Sequence, residues 1–535
     1  MSHQNKTRRI FLYGVGVVAP GASNLPEFLS VVRQGKTVLT PKKSLFNAFL
    51  AGTPKFDFSI YKSWLEERHG PKRYPLLNEK SGDLIKYGVG SLIQAVSTQP
   101  GLEQAISALD PNLRIQYATG LGDLPIIHKS ARELDKSFFT WNAFWANPER
   151  NNALSQHLNG KKKQDNAPAN PTQFLVDTQE RYEAVKLWNF YWAEQSHLLH
   201  EYLGKLSKIE SEGVSGPDID AAKLSLIRNK IKIRKELSEH YGFPPPPWES
   251  VSPNLLWNIP NLAASQASML LNLHGEALGV SGACGSFGTL INNAYRDIKS
   301  GVVDLSILGA VDAAPSDELI SAFYSGRLAV MGEKAGVPFC DLRGTHISGG
   351  ACTWILAEEG AMKKFNVPHM GIEIIGAGAS SDAEHIITPS KEGPKLAMKR
   401  AFAAANISKN DIQMWDMHAT GTPGDWNEFM LIEDFVPQSA YISARKGIFG
   451  HGMAVCGGWE LSAQLLSAQK TTHNTLILAQ TGIDPANLNP KIASLNRNIL
   501  LNKSVEIPMP KAGLLCGKLG MGVGGVSSCV IARVD

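Results

Sequence analysis

The sequence predicts an α/β protein built from two similar halves, with a helical insertion in the first half. Arg9–Ala19 (RIFLYGVGVVA) and Gly371–Ser381 (GIEIIGAGASS) are both short β-rich runs that lead into a G-x-G pattern. Such an internal repeat indicates two copies of one structural unit, and we place the halves at residues 1–360 and 361–535. Strand-like and helical segments alternate between the repeats, as expected for mixed or parallel sheets covered by helices.

The individual elements follow from apolar runs and helical periodicity. Besides the repeats, strands are predicted at Leu305–Ala310, Thr353–Ala357, Met414–Met417 and Cys529–Ala532. Helices are predicted at Ser286–Lys299, Pro394–Ala405 and Gly458–Gln469. We expect Pro394 at the first helical position, where its missing N–H costs nothing.

Residues 128–255 differ in composition from the rest of the chain, since they are rich in tryptophan and charged residues. Apolar and aromatic residues recur at helical spacing between Val185 and Leu206 and again between Leu224 and Leu237. Gly242 is placed to end the second helix, and Pro244–Pro247 predicts an extended segment. We interpret the region as a helical insertion whose apolar faces form a core, with a docking surface as the alternative.

Composition excludes several classes of protein. The chain has 535 residues, of which 43% are hydrophobic and 19% charged, which favours a globular protein over a disordered one. No stretch approaches the roughly 18 consecutive apolar residues of a membrane helix. The net charge is +4 without an Arg/Lys stripe interleaved with aromatics, so we expect no nucleic-acid partner. A mild positive charge would suit an acidic protein partner.

The beginning of the chain allows two interpretations. Lys6, Arg8 and Arg9 precede the apolar run Ile10–Ala19, as basic residues do in a signal peptide. Two glycines interrupt this run and no A-x-A cleavage pattern follows it, which favours a first β-strand. We therefore expect a cytoplasmic protein.

One of the six cysteines lies in a pattern that suggests chemistry. None of them forms a C-x-x-C pair or has zinc-ligand spacing, so most are expected to be small buried hydrophobes. Cys284 lies in VSGACGSFG, where a strand passes into a helical pattern. A thiol at a helix N-terminus is expected to have a lowered pKa, and its small neighbours would let a thioester approach closely. A buried structural cysteine is the competing interpretation.

Two histidines and a lysine occupy comparable positions in the second half. His418 follows the strand Met414–Met417 and opens the loop HATGTPGD, at the kind of strand exit where α/β proteins place functional side chains. His451 lies between two glycines in KGIFGHG, just before a helix, and Lys446 opens the same segment. Considered alone, each histidine could instead be a buried core residue, and Lys446 could be a solvated surface lysine.

Glycine-rich segments occur near both ends of the chain. Gly520–Val526 (GMGVGGV) would expose main-chain N–H groups, either as an oxyanion hole or as a tight hairpin. The G-x-G at Gly14 and Gly16 is not a dinucleotide fingerprint, because no third glycine opens a helix and no acidic residue follows at about 20 positions.

Taken together, these motifs resemble the β-ketoacyl-acyl-carrier-protein synthases, the elongating condensing enzymes of the thiolase-like superfamily. The opening RRIFLYGVGVVAPG is similar to the family's first strand, and VSGACGSFGTLINNAYRDIKSG to its nucleophile segment. HATGTPGD is similar to the H-G-T-G-T motif, KGIFGH to K-S-N-x-G-H, and GMGVGG to the closing G-F-G-F-G-G. The resemblance spans nearly the whole chain outside residues 128–255, and the four motifs occur in the family's order.

The resemblance implies a thiolase-like fold of two stacked halves and a Cys-His-His active site. Cys284 would be acylated, and His418 and His451 would stabilise the enolate formed when malonyl thioester loses CO₂. Cys284 and Met521 would supply the oxyanion hole through their N–H groups, and Lys446 would fix the local charge. Thr420 and Thr422 would contact the phosphopantetheine arm of an acyl carrier protein.

The resemblance also implies partners. The acyl and malonyl thioesters would arrive on the carrier's phosphopantetheine, with no cofactor or metal belonging to the chain itself. The protein would be a homodimer.

Several residues depart from the family pattern. Met521 and Val523 replace two phenylalanines, one of which gates the acyl pocket, and Gly350 stands where a glutamate is usual. We expect the first two changes to relax the gate, unless neighbouring residues fill the space.

Three other functions remain open at this point. They are a non-catalytic partner subunit that sets chain length, an initiating synthase that uses acyl-CoA primers, and a thiolase-like enzyme with Cys456 as its base. The presence of Cys284 argues against the non-catalytic partner subunit. The pathway and the primer are not determined by the sequence.

Overall fold

The chain folds into two compact units. The computed structural model describes residues 8–214, 219–384, 386 and 390–535. One unit contains the described residues up to Pro125 and from Leu256 onward, and the other is Ile126–Leu255. Lys6, which belongs to the basic segment considered as part of a signal peptide, lies outside the described residues.

The strands of the structure all belong to the first unit. Their bounds are β1 Ile10–Val18, β2 Thr40–Pro41, β3 Leu50–Ala51, β4 Leu113–Ala118, β5 Glu276–Val280, β6 Leu305–Asp312, β7 Gly350–Glu358, β8 Ile372–Ser381, β9 Met414–Asp416, β10 Tyr441–Ser443, β11 Gln469–Lys470, β12 Thr475–Leu478, β13 Asn498–Ile499, β14 Val505–Pro508, β15 Leu514–Gly522 and β16 Val526–Val534. Ile10–Val18 is fully buried, so the run considered as a signal peptide is the first strand of the core.

The helices of the same unit cover these strands. They are α1 Leu25–Gln34, α2 Lys62–His69, α3 Arg73–Lys80, α4 Asp83–Val96, α5 Leu102–Leu109, α11 Leu262–Leu271, α12 Ser286–Ser300, α13 Asp317–Ser325, α14 Glu359–Lys363, α15 Glu392–Ala405, α16 Gly424–Ile432, α17 Lys446–Phe449, α18 Cys456–Leu466 and α19 Pro490–Ala493. Pro394 is the third residue of α15 and not the first as predicted, although the N–H at that position has no intrahelical partner either.

Eleven strands form one large mixed sheet in which two similar halves can be recognised. The order is β13-β10-β9-β15-β16-β8-β1-β7-β6-β4-β5. The five principal strands have the same order across the sheet in both halves, namely β5-β4-β6-β7-β1 in the first and β10-β9-β15-β16-β8 in the second. Numbered within each half along the chain, both orders are third, second, fourth, fifth, first. The halves meet where β1 pairs with β8 at Phe11 and Glu373. This repeated topology confirms the predicted fold of two similar α/β halves, while the boundary at residue 360 stays a prediction.

The glycines of the sequence repeat have the same steric role in both halves. A Cβ on Gly16 would lie 1.8 Å from the main-chain oxygen of Ser91 in α4. A Cβ on Gly378 would lie 2.3 Å from the main-chain oxygen of Ala397 in α15. Each half therefore uses its G-x-G pattern to let a helix pack directly on its first strand.

Two helices form a buried layer shared by the halves. α12 contacts β6 of the first half and β8 and β16 of the second, and it also packs on α18. α18 contacts β7 as well as β9 and β15. Apolar side chains of both helices belong to one core cluster, so the segments that precede them, Ala283–Gly285 and Met453–Val455, are held by the same core.

The second unit is helical and has its own aromatic core. Its helices are α6 Leu124–Trp145, which begins in the first unit, α7 Asn152–Leu158, α8 Gln179–Glu194, α9 His197–Ser211 and α10 Ile219–Tyr241. Trp141, Trp145, Tyr202 and Phe243 pack together with ring centroids 4.5–6.0 Å apart. α10 ends one residue before Gly242, where the sequence predicts the end of a helix.

No helix in the described part of the chain is both long enough and apolar enough to cross a membrane.

The departure at Gly350 has a packing explanation. Gly350 has φ +153°, and a Cβ there would lie 2.2 Å from the main-chain oxygen of Val18 and 2.6 Å from Cζ2 of Trp459. The Trp459 indole thus occupies the space that a larger residue would need. We expect Gly350→Ala to lower the free energy of unfolding by at least about 2 kcal/mol, because overpacking and backbone strain act together.

Urea denaturation followed by circular dichroism would measure this effect. Gly204→Ala is the matched control, because Gly204 is exposed in α9 and a Cβ there meets nothing within 4 Å. That variant should be neutral or more stable by up to about 1 kcal/mol, since alanine favours helix. Equal stability of Gly350→Ala and the parent protein would contradict the packing explanation.

Candidate active site

A cavity of about 360 Å³ opens between the segments singled out by the sequence. Cys284, His418, His451, Thr420, Thr422, Met521 and Val523 all contribute to its wall. The remaining lining residues are Phe323, Arg327, Leu328, Thr345, Ala419, Pro423, Gly424, Asp425, Asn427, Glu428, Leu431 and Gly522. Of the predicted site residues, Lys446 alone does not line the cavity and lies behind it.

Cys284 lies in a tight turn that directly precedes α12. The turn Ala283–Gly285 is a single 3₁₀ segment, and Ala283 has φ +46°, a conformation that few residues other than glycine adopt. The Ser286 hydroxyl accepts a hydrogen bond from the N–H of Gly282 at 3.1 Å and donates to the carbonyl of Ala283 at 2.6 Å. These contacts fix the thiol at the cavity wall, where Cys284 is 5% exposed.

The pKa of the Cys284 thiol is raised, contrary to the expectation from its place at a helix N-terminus. Burial raises this pKa to about 11, whereas the charge of Lys446 and a main-chain N–H of Val523 act in the opposite direction. Desolvation therefore outweighs these nearby electrostatic contributions in the free protein. A main-chain N–H that faces the sulfur belongs to Val523, whereas the oxyanion role expected for the N–H of Met521 stays a prediction.

His418 is held by carboxylates that the sequence analysis did not identify. Glu428 on α16 accepts the N–H of His418 at 2.6 Å and that of Ala419 at 2.8 Å. Asp425 accepts the N–H of Thr420 at 2.8 Å. Burial raises the pKa of Glu428 to about 8 and that of Asp425 to about 6. The two acids are three residues apart at the start of a helix, and this spacing could have indicated them.

His451 presents a defined ring nitrogen to the cavity. Its Nδ1 accepts a hydrogen bond from the N–H of Met453 at 3.1 Å, so the proton of the neutral ring is on Nε2. The rings of His418 and His451 are 5.9 Å apart and nearly perpendicular. Burial, reinforced by the charge of Lys446, lowers the pKa of His451 to about 3 and that of His418 well below its usual value. Both imidazoles are therefore neutral at physiological pH.

Lys446 is a buried residue of the site and not a solvated surface lysine. It is 2% exposed, and its ammonium donates to the main-chain oxygen of His418 and to Glu460. Its charge lowers the pKa of Cys284, His418 and His451. Lys446 thus connects the three predicted catalytic side chains electrostatically.

The threonines and the glycine-rich hairpin complete the cavity wall. The hydroxyls of Thr420 and Thr422 are 2.9 Å apart and share a hydrogen bond. The segment Gly520–Val526 forms the end of the β15–β16 hairpin, which confirms the predicted hairpin, while its role as an oxyanion hole stays a prediction. Met521 is buried, whereas Val523 is 39% exposed.

Cys456 packs behind Cys284. Its Sγ donates to the main-chain oxygen of Cys284 at 3.5 Å, and it does not line the cavity. Burial raises its pKa. A base facing a substrate needs access to the cavity, so this position does not support a thiolase-like role. Within the described residues no group of three or more His, Cys, Asp or Glu side chains could hold a metal ion.

The raised pKa of Cys284 leads to a test with iodoacetamide. Because the thiolate is the nucleophile, the alkylation rate of Cys284 should increase about tenfold per pH unit from pH 7 to pH 10. Cys340 is the internal control, since its pKa is also raised to about 11 but it does not line the cavity. Peptide mapping should find Cys340 labelled more slowly than Cys284 at every pH. A plateau of the Cys284 rate below pH 8 would contradict the effect of burial.

The comparisons with known proteins agree with this geometry. The family description "Beta-ketoacyl synthase, N-terminal domain" matches residues 237–359, and "Beta-ketoacyl synthase, C-terminal domain" matches residues 372–477. Nodulation protein E of Rhizobium meliloti is 30% identical over 231 residues, which are 40% of this chain and 53% of that protein. The 3-oxoacyl-[acyl-carrier-protein] synthase 2 of Staphylococcus aureus is 29% identical over 218 residues, which are 39% of this chain and 54% of that protein.

A comparison of folds also finds similar proteins of known structure. The solved structure of the ishigamide ketosynthase/chain length factor has a TM-score of 0.66 and 16% identity, and it covers 99% of this chain and 100% of that one. This likeness shows the thiolase-like fold. The chain spans about half the length of the curated relatives that it matches. Residues 237–359 and 372–477 are thus similar to the two domains of the β-ketoacyl synthase family, and the motifs that resemble this family lie around one cavity.

Proposed function

We propose that this protein is a β-ketoacyl-acyl-carrier-protein synthase that catalyses decarboxylative Claisen condensation. The observation that carries the proposal is one cavity wall that combines a thiol, two neutral imidazoles and main-chain N–H groups. A non-catalytic partner subunit would have no use for a thiol at this place. Fatty acid and polyketide synthesis both use this reaction.

The first step is acyl transfer to Cys284. The sulfur attacks the carbonyl of an acyl thioester, and the carrier's thiolate leaves with the proton that the Cys284 thiol gives up. The tetrahedral oxyanion is stabilised by the N–H groups of Cys284 and Val523, the two that face the sulfur. Because burial raises its pKa, the thiol is protonated in the free protein and gives up its proton as the sulfur attacks.

The second step forms the carbon–carbon bond. Malonyl thioester loses CO₂, and the electrons of the broken C–C bond form an enolate whose oxygen becomes negative. His451 donates from Nε2 to this oxygen, and His418 lies across the cavity as the second donor. The enolate carbon then attacks the acyl-Cys284 carbonyl, and collapse of the intermediate expels the Cys284 thiolate, which takes up a proton.

The substrates are proposed to arrive on an acyl carrier protein. Thr420 and Thr422 lie together on the cavity wall and would contact the phosphopantetheine arm, so that the chain needs no cofactor of its own. Met521 and Val523 would shape the entry of the acyl group, because a flexible methionine and a small valine restrict it less sharply than two phenylalanines. We also propose a cytoplasmic location, because all six cysteines are free.

Alanine variants of the two histidines test the proposed function, because they should affect the two reaction steps to different extents. His418→Ala and His451→Ala should each slow malonyl decarboxylation and condensation by roughly 10²–10³, as loss of one oxyanion donor does. Acyl loading of Cys284 should change much less. His69→Ala is the matched control, since the His69 ring contacts the carbonyl of Leu270 and does not line the cavity. Normal condensation by both histidine variants would contradict the assignment.

A homodimer is proposed on the basis of an unpaired sheet edge. β5 is the last strand of the large sheet, and its residues Glu276–Gly279 are exposed. An exposed edge strand with an apolar side chain such as Leu278 is a template for pairing with a second copy. Antiparallel pairing of two β5 strands about a twofold axis would continue the sheet through both subunits.

Light scattering tests this arrangement. The parent protein should have twice the chain mass of 58.1 kDa, whereas Leu278→Lys should shift the equilibrium to the monomer because two like charges would oppose each other. Leu396→Lys is the control, since Leu396 is equally exposed but lies on α15. A monomeric parent at micromolar concentration, or a dimeric Leu278→Lys variant, would contradict pairing through β5.

A further inference from the structure

Lys518 is a buried lysine that the function described above does not use. It lies on β15, three residues before Met521, and is 3% exposed. Its ammonium is 2.9 Å from Oδ1 of Asp416 and 2.6 Å from Oε2 of Glu460. A charged group without solvent needs such partners, because burying an unpaired charge is very unfavourable.

Lys518 belongs to an ionic cluster that reaches the catalytic histidine. Glu460 uses its other oxygen, Oε1, for the ammonium of Lys446, which also donates to the main-chain oxygen of His418. Asp416 uses its other oxygen, Oδ2, for Arg445 at 2.8 Å. The two carboxylates are therefore each held between two cations, and neither can rotate without breaking an ion pair.

The cluster carries an excess positive charge. Arg445, Lys446 and Lys518 face Asp416 and Glu460, and each of the five residues is at most 3% exposed. In a medium of low dielectric constant this charge acts on its neighbours over several ångströms. His418 follows Asp416 by two residues, so it is the titratable catalytic group next to the cluster in sequence as well as in space.

We propose that Lys518 is a positioning residue for the condensation step, which holds Glu460 and thereby Lys446 in place beneath His418 and keeps that imidazole neutral. This inference rests on the proposed function. Lys518 does not touch the cavity and acts through other residues. Burial, Lys446, His451 and Lys518 all lower the pKa of His418.

The charged and titratable groups that face His418 come from several elements. Lys446 of α17 and Lys518 of β15 are cationic, and His451 lies across the cavity. Glu428 of α16 accepts the His418 N–H, and Asp425 accepts the next N–H groups of the loop. Lys518 contacts Asp416 and Glu460. Its charge can therefore be removed by substitution while the direct contacts of His418 are retained.

Lys518→Met tests the inference in the full chain, because it keeps much of the side-chain volume and removes the charge. Two cations then face two carboxylates, so the cluster loses its excess positive charge. Loss of a positive neighbour raises the pKa of His418, so more of it is protonated as the pH falls, and an imidazolium can protonate the enolate before the carbon–carbon bond forms. The rate of condensation by the variant should therefore fall at least about threefold more than that of the parent between pH 7.5 and pH 5.5. Acyl loading of Cys284 should stay within about threefold of the parent.

Lys299→Met is the matched control, since Lys299 is a half-buried lysine near the end of α12 that donates to the carbonyl of Arg8. It should leave the pH profile unchanged. If Lys518→Met does not fold, Lys518→Gln is measured in its place, because it retains a donor without the charge.

The outcomes separate this inference from the proposed function. A parent protein that does not decarboxylate malonyl thioester overturns the proposed function. An active parent with a Lys518 variant whose pH profile is parallel to that of the parent overturns the positioning role, even when its rate is lower at every pH. A steeper loss of rate at low pH with normal acyl loading supports it.

Discussion

The close approach of the β15–β16 hairpin to the Cys284 turn is the constraint on which the site depends. A Cβ on Gly522 would lie 2.8 Å from the main-chain oxygen of Gly282 and 3.1 Å from the main-chain nitrogen of Cys284. Only glycine allows two backbones to meet at this distance. The contact joins the Cys284 turn of the first half to the last hairpin of the second. It brings the Val523 N–H to the sulfur, and α12 and α18 hold both segments from behind.

Burial determines the protonation states that the chemistry needs. The same desolvation that raises the pKa of Cys284 lowers the pKa values of His418 and His451. A neutral imidazole can donate its N–H to a developing enolate oxygen and, unlike an imidazolium, is too weak an acid to protonate the enolate. The positive charge of Lys446 lowers all three pKa values. It therefore opposes the effect of burial at Cys284, where it favours the thiolate, and adds to it at both histidines, where it favours the neutral form. One buried lysine thus assists both stages of the proposed reaction.

Short motifs allowed much of the site to be predicted, because its main side chains come from local turns with recognisable residues. Cys284, His418 and His451 line one cavity as expected from their motifs. The two similar halves were predictable because the glycine repeat has a steric function in each half. The thiol pKa was predicted in the wrong direction, since burial is a tertiary property that no local pattern reports. The Val523 donor depends on the register of the hairpin, and Lys518 looks like any lysine of a β-strand until its two carboxylate partners are known.

The proposed reaction requires that Cys284 carries the growing acyl chain. The most direct measurement is mass spectrometry of the peptide that contains Cys284, after the protein has been incubated with an acyl-carrier-protein thioester and again after malonyl thioester is added. We expect an acyl adduct on Cys284 that disappears on the second addition while a β-ketoacyl product forms on the carrier. An adduct on Cys456 or another cysteine, or a Cys284 adduct that malonyl thioester does not discharge, would contradict it.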